Sequence, residues 1–229
     1  MTELIVALDQ TNMNAAYAMN DAYEVLDKLP DQIWYKIGMQ LFLSGGMDVP
    51  DDLMKYDDKR IFLDLKLYDV MDTIEKTVFD VLTHDVEMLT VCGLDVEILI
   101  GARNAIKTYK AKFDKEPVTK IIAVGKTTGS SQTKGDIYNL ANVVDNTSLH
   151  GIVCSAQHAR TVKQDFPNML VISPGIRYED AEQDCHAPSS VATPMFARQA
   201  GVDFIVVGRP ITRAKDPLAE QTRILYDIA

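Results

Sequence analysis

The chain has 229 residues, of which 47% are hydrophobic and 24% charged, enough to bury a full core with the composition of an ordinary globular protein. No apolar run approaches the roughly 18 residues that span a membrane, and residues 4–8, flanked by Glu3 and Asp9 with no basic residue, do not read as a signal peptide, so a cytoplasmic protein is expected. A formal net charge of −10 argues against nucleic-acid binding, and three widely spaced cysteines (Cys92, Cys154, Cys185) with no C-x-x-C pair argue against a disulfide framework or structural zinc.

In chain order, a short β-type apolar run at 4–8 is followed by helical spacing over 14–29, with Ala16, Ala18, Tyr23, Val25 and Leu26 as its apolar positions. Strand runs follow at 34–38 and 61–65, then a helix over 73–82. A strand at 88–91 leads to a helix over 96–113, and one at 120–124 to a helix over 136–144. Strands at 151–155, 169–173 and 204–208 precede helices over 156–165, 194–200 and 217–228. Eight strand candidates alternating with helices predict a parallel sheet of the α/β class. The Gly-rich dinucleotide fingerprint is missing after the first strand, where Asp9-Gln10-Thr11-Asn12 stands. Eight strands therefore favour a closed (β/α)8 TIM barrel over an open doubly wound sheet, and no linker or composition break divides residues 1–229, so one domain is expected.

In such a barrel the chemistry lies at the C-terminal ends of the strands. Strand 3 reads Ile61-Phe62-Leu63-Asp64-Leu65-Lys66-Leu67-Tyr68-Asp69. Side chains two apart share a strand face, so Asp64 and Lys66 point together into the barrel mouth while Ile61, Leu63, Leu65 and Leu67 face the helices. Lys36, two residues after Trp34, is placed to do the same from strand 2. Two lysines and two carboxylates in one layer require mutual pairing to be desolvated. The plain reading is a structural ion-pair network. The functional one is a site that keeps a lysine charged as a proton donor beside a negative charge. After strand 7 comes Ser173-Pro174-Gly175-Ile176-Arg177, and after strand 8 Val207-Gly208-Arg209-Pro210. These are the loops where barrels often bind phosphate, and each arginine offers a bidentate fork that the overall acidic composition lacks.

These motifs together resemble the orotidine 5′-monophosphate decarboxylase family over nearly the whole chain. The D-x-K-x-x-D signature followed by a short turn and Thr stands as Asp64-Leu65-Lys66-Leu67-Tyr68-Asp69-Val70-Met71-Asp72-Thr73, and the A-L-D and K-x-G motifs as Ala7-Leu8-Asp9 and Lys36-Ile37-Gly38. Gly151-Ile152-Val153-Cys154-Ser155-Ala156 and the two Gly-plus-Arg turns follow in family order. The resemblance implies a carboxy-lyase without cofactor or metal, acting in pyrimidine biosynthesis on a small nucleotide substrate. Lys66 would protonate C6 of the pyrimidine, Asp64 would sit beside the departing carboxylate, and Lys36 and Asp69 would complete an alternating charge network. It further implies ribose contacts from Asp9 and Lys36, a base contact from Thr128, and phosphate contacts from Arg177, Gly208 and Arg209. A homodimer follows, with Asp69 and Thr73 reaching the neighbouring subunit's site.

The chain departs from the family pattern at four places. Val91-Cys92-Gly93 stands where a V-H-A segment is usual, and Asp72 where Asn or Thr precedes the Thr, adding a carboxylate near the cluster. Thr127-Thr128-Gly129-Ser130 replaces L-T-S, which leaves the base-reading hydroxyl open among Thr127, Thr128 and Ser130. The usual loop glutamine after Arg177 has no unambiguous counterpart, Gln183 being the candidate. Two rivals stay in view. One is the magnesium-dependent 3-keto-L-gulonate 6-phosphate decarboxylase and hexulose 6-phosphate synthase group, which carries Glu where Lys36 stands. The other is a catalytically silent barrel that binds a phosphorylated ligand.

Overall fold

The computed structural model describes residues 1–8, 15–56, 58–126, 132–178 and 191–229, with the backbone alone for 15–18. Eight parallel strands close into a barrel in sequence order: β1 Glu3–Ala7, β2 Trp34–Gly38, β3 Arg60–Leu67, β4 Met88–Cys92, β5 Lys120–Val124, β6 Gly151–Val153, β7 Leu170–Pro174 and β8 Phe204–Val207. The last strand pairs with the first, Ile5 opposite Val206. The expected barrel is therefore the observed one. Its helices are α1 Ala15–Lys28, α2 Met39–Phe42, α3 Asp48–Leu53, α4 Met71–Leu82, α5 Val96–Phe113, α6 Lys134–Asn146, α7 Ala156–Asp165, α8 Pro194–Gln199, α9 Arg209–Thr212 and α10 Pro217–Ile228. Among the described residues no helix is long and apolar enough to cross a membrane.

Local chemistry accounts for where these elements begin and end. The Asp95 carboxylate accepts the Glu97 N–H at the start of α5, and Thr133 with Asp136 forms a reciprocal capping box on α6. Pro194 and Pro217 open α8 and α10, with Thr193 and Asp216 capping the turns before them. Helices α2, α3 and α9 are four to six residues long, too short to show an amphipathic period, and the sequence pattern does not announce them.

Strand alternation divides the core in two. Leu63, Leu89, Ile121 and Ile205 face outward into the layer between barrel and helices. Ile5, Ala7, Trp34, Phe62, Met88, Ile122, Ile172, Phe204 and Val206 fill the barrel interior. Two steps along from Trp34, Phe62 and Met88, on the same faces, stand Lys36, Asp64 and Thr90. On three neighbouring strands the inward-facing residue thus changes from apolar to polar towards the C-terminal end. Outside the barrel, α5 crosses α4 closely at Gly101, where an added Cβ would stand 2.7 Å from the Met71 carbonyl oxygen.

Candidate active site at the barrel mouth

Asp64 is the centre of the polar layer. Its Oδ1 accepts from the Lys66 ammonium at 2.8 Å and from the Thr90 hydroxyl at 3.1 Å. Its Oδ2 lies 3.7 Å from the Lys36 Nζ. Strand register builds this group: Gly38 pairs with Asp64 and Lys36 with Phe62, which places the inward-facing Lys36 beside Asp64 across the β2–β3 ladder. The side chains of Lys36 and Asp64 are 10% and 14% exposed, whereas that of Lys66 is 40% exposed. One carboxylate thus serves two ammonium groups, and the trio carries a formal excess of one positive charge. Charges this sheltered from water interact more strongly than surface pairs.

Lys66 reaches Asp64 through an irregular backbone. On the β3–β4 ladder Leu63 pairs with Leu89, but the next pairing is Leu67 with Val91, so β3 carries two extra residues across this gap. Lys66 sits among them with φ of +51°, in the left-handed region where a side chain is strained. Its N–H finds a substitute acceptor in the Thr90 hydroxyl at 2.8 Å. Simple alternation placed Asp64 and Lys66 on one face, and the two do meet, by way of this bulge.

Asp69 stands apart from the trio within this chain. It is exposed, and its Oδ1 accepts from the Val70 N–H at 2.7 Å. Thr73 is likewise exposed on the first turn of α4. Around them Tyr68, Val70, Met71, Leu94 and Val96 present exposed apolar side chains. Asp72, expected near the charge cluster, instead pairs with Lys76 at 2.5 Å one helical turn along the exposed face of α4. Helical spacing brings those two residues together and carries the carboxylate away from the mouth.

The β7 and β8 loops lie side by side because Pro174 pairs with Val206. Gly175 turns with φ of +76°, a conformation that glycine adopts without strain. Beyond it Ile176 forms a parallel bridge with Ala192, the Arg177 N–H donates to the Ala192 carbonyl at 3.0 Å, and the Ala192 N–H returns to Gly175 at 3.3 Å. The Tyr178 hydroxyl donates to Asp227 Oδ2 at 2.7 Å, and Arg223 lies 3.6 Å from the centre of its ring. On the other side, Gln157 donates to the Val191 carbonyl at 2.9 Å. Arg177 is therefore fastened between α7 and α10. Gly208 and Arg209 begin α9, and both are partly buried beside that loop.

Asp9, Thr128 and Gln183, with Thr127 and Ser130, lie outside the described residues. Cys92, which replaces the usual histidine, is a free, partly buried cysteine at the end of β4. Burial pushes the Cys154 thiol up to about 12, so it is an inert core group. Among the described residues no group of three or more His, Cys, Asp or Glu side chains is placed to hold a metal ion. Sequence reasoning overlooked Thr90, although the two-residue step from the inward-facing Met88 would have found it. It also overlooked the Tyr178–Asp227 clamp, which joins residues 49 apart and leaves no local signal.

A closed barrel of eight parallel strands with alternating helices, paired charges at the strand ends and Gly-plus-Arg loops after β7 and β8 defines an enzyme-like (β/α)8 architecture. A profile of the Orotidine 5′-phosphate decarboxylase / HUMPS family matches residues 2–224, and the chain belongs to that family. It is 35% identical to the orotidine 5′-phosphate decarboxylase of Lawsonia intracellularis, the alignment covering 100% of this chain and 98% of that protein. It is 32% identical to the orotidine 5′-phosphate decarboxylase of Malacoplasma penetrans, over 97% of this chain and 96% of that one. The crystal structure of the Lactobacillus acidophilus orotidine 5′-phosphate decarboxylase superposes with a TM-score of 0.80 at 27% identity, covering 100% of this chain and 99% of that one.

Proposed function

We propose that this chain is a carboxy-lyase that converts orotidine 5′-phosphate to uridine 5′-phosphate in pyrimidine biosynthesis. The observation that carries the reading is the Lys36–Asp64–Lys66 trio at the mouth of the barrel, on a chain whose family and relatives bear that name. The C6–carboxylate bond breaks, carbon dioxide leaves, and its electron pair stays on C6 of the ring. The Lys66 ammonium stabilises that pair and then delivers a proton to it, and water reprotonates the amine. Asp64 pairs with Lys66 and faces the substrate carboxylate, and Lys36 lies beside Asp64 while reaching for the ribose. No cofactor takes part as an electron sink.

Asp9 joins Lys36 at the ribose, and Thr128 reads the base. Arg177, Gly208 and Arg209, with Gln183, hold the phosphate, whose binding energy orders the site around the distant ring. Asp69 and Thr73, exposed beside an apolar surface, complete the site of a second copy in a homodimer. Residues 1–229 act as one catalytic domain, and the cytoplasm is where its substrate would be made.

Lys36 also bears on the family's other branch. The magnesium-dependent sugar-phosphate enzymes carry Glu at that place, and an ammonium beside Asp64 disfavours a cation there. The deciding experiment incubates the protein with orotidine 5′-phosphate without added metal and follows the pyrimidine absorbance. The expected result is conversion to uridine 5′-phosphate, and unchanged substrate at micromolar enzyme would overturn the reading.

A further inference from the structure

Thr90 is fully buried inside the barrel, yet its hydroxyl is engaged at both of its capacities. It accepts from the Lys66 N–H at 2.8 Å and donates to Asp64 Oδ1 at 3.1 Å. That same Oδ1 accepts from the Lys66 ammonium at 2.8 Å. The contacts close a ring: Lys66 backbone, Thr90 hydroxyl, Asp64 carboxylate, Lys66 ammonium. The ring spans the place where β3 leaves its ladder with β4 and Lys66 takes a left-handed backbone.

We propose that Thr90 is a positioning residue for the reaction, its hydroxyl fixing the backbone of Lys66 and the carboxylate of Asp64 in one geometry; this rests on the decarboxylase reading above. A lysine side chain has four rotatable methylenes and little preference of its own. A left-handed residue persists only where its surroundings over-determine it, and here the substitute acceptor for its N–H is a side chain that also orients the carboxylate. A hydroxyl suits this duty because it donates one hydrogen and accepts at two lone pairs. Without it the Lys66 N–H and one lone pair of Asp64 lose their partners in a sheltered site. The ammonium would then sample positions away from C6, while the phosphate loops, on the opposite side of the barrel, would be untouched.

Thr90→Val keeps shape and β-branching while removing the hydroxyl, and Thr90→Ser keeps the hydroxyl. Steady-state kinetics with orotidine 5′-phosphate should show kcat reduced roughly 10- to 100-fold in Thr90→Val, from the loss of hydrogen bonds to charged groups. KM should stay within about threefold, and Thr90→Ser should recover kcat to within about threefold of wild type. Should Thr90→Val fail to fold, Thr90→Ala takes its place, with Thr90→Ser expected at least about tenfold faster. A Thr90→Val enzyme with wild-type kcat, or a loss that serine does not restore, overturns this inference alone. A wild-type enzyme that leaves the substrate intact overturns the decarboxylase reading and this inference with it.

Discussion

The two ends of the barrel interior solve the burial of polar groups in opposite ways. At the N-terminal end the Trp34 ring meets Phe204 edge-on with centroids 5.0 Å apart, Arg60 covers it at 5.5 Å, and its indole N–H donates to Glu3 at 2.8 Å. Close by, the buried Gln32 amide donates to the Leu4 and Trp34 carbonyls, and its oxygen accepts from Gln221. Donors and acceptors there balance. At the C-terminal end one carboxylate is divided between two ammonium groups, and Lys66 remains open to solvent. The plug turns its polar groups on one another, whereas the mouth keeps part of its charge facing water. Mutations at the two ends should therefore separate activity from stability.

The largest effect is expected for Lys66→Ala, which should lower kcat by at least about 10³-fold, the scale of losing the proposed proton donor and its electrostatic support together. The melting temperature should hold, because the lost ammonium is 40% exposed and Asp64 keeps Lys36 and Thr90 as partners. Binding of uridine 5′-phosphate, measured by calorimetry, should persist. At the other end, Trp34→Ala should cost about 3–5 kcal/mol of stability in denaturant titrations, with kcat of the folded fraction near that of wild type. A common loss of both properties at either end would break the contrast.

A pH dependence belongs to the sealed end. His150, just before β6, accepts the Ile121 N–H at Nδ1, and burial, aided by the positive charges of Lys120 and Arg103, lowers its imidazole to about 4. An unfolded histidine titrates near 6.5, so between pH 6.5 and about 4 the unfolded chain binds a proton that the native protein refuses. Stability from this group is thus complete above pH 6.5 and declines as the pH falls through that window, by up to about 3 kcal/mol. Unfolding free energies at several pH values should show a shallower decline in His150→Asn, whose side-chain oxygen replaces the lost acceptor. The smallest effect is expected for Tyr178→Phe, which removes one hydrogen bond to Asp227 worth about 1 kcal/mol. KM for orotidine 5′-phosphate should rise about fivefold with kcat little changed.

Much of this was legible beforehand because strands and long helices carry their own periods. The expected helices at 96–113, 156–165 and 217–228 coincide with α5, α7 and α10. Side-chain alternation from Trp34 and Phe62 was enough to bring Lys36 and Asp64 together. Alternation is silent about a bulge, however, so neither the left-handed backbone of Lys66 nor its bond to Thr90 was foreseen. Threonine in Met88-Leu89-Thr90-Val91-Cys92 reads as an ordinary strand former, and only the neighbouring strand gives its hydroxyl a task. Asp69 shows the converse limit, since motif spacing groups it with Lys66 while the fold leaves it exposed on a turn.

Gly101 carries a consequence for how this protein can change over time. The absent side chain lets α5 rest on the Met71 carbonyl, immediately after the turn that bears Tyr68 and Asp69. Any larger residue there would act as a wedge, levering that turn off its seat and carrying the apolar rim and the acidic side chain with it. Drift at a position remote from the charged trio is thereby coupled to the geometry of the rim, and a substitution on α5 would be tolerated only with a compensating retreat of α4.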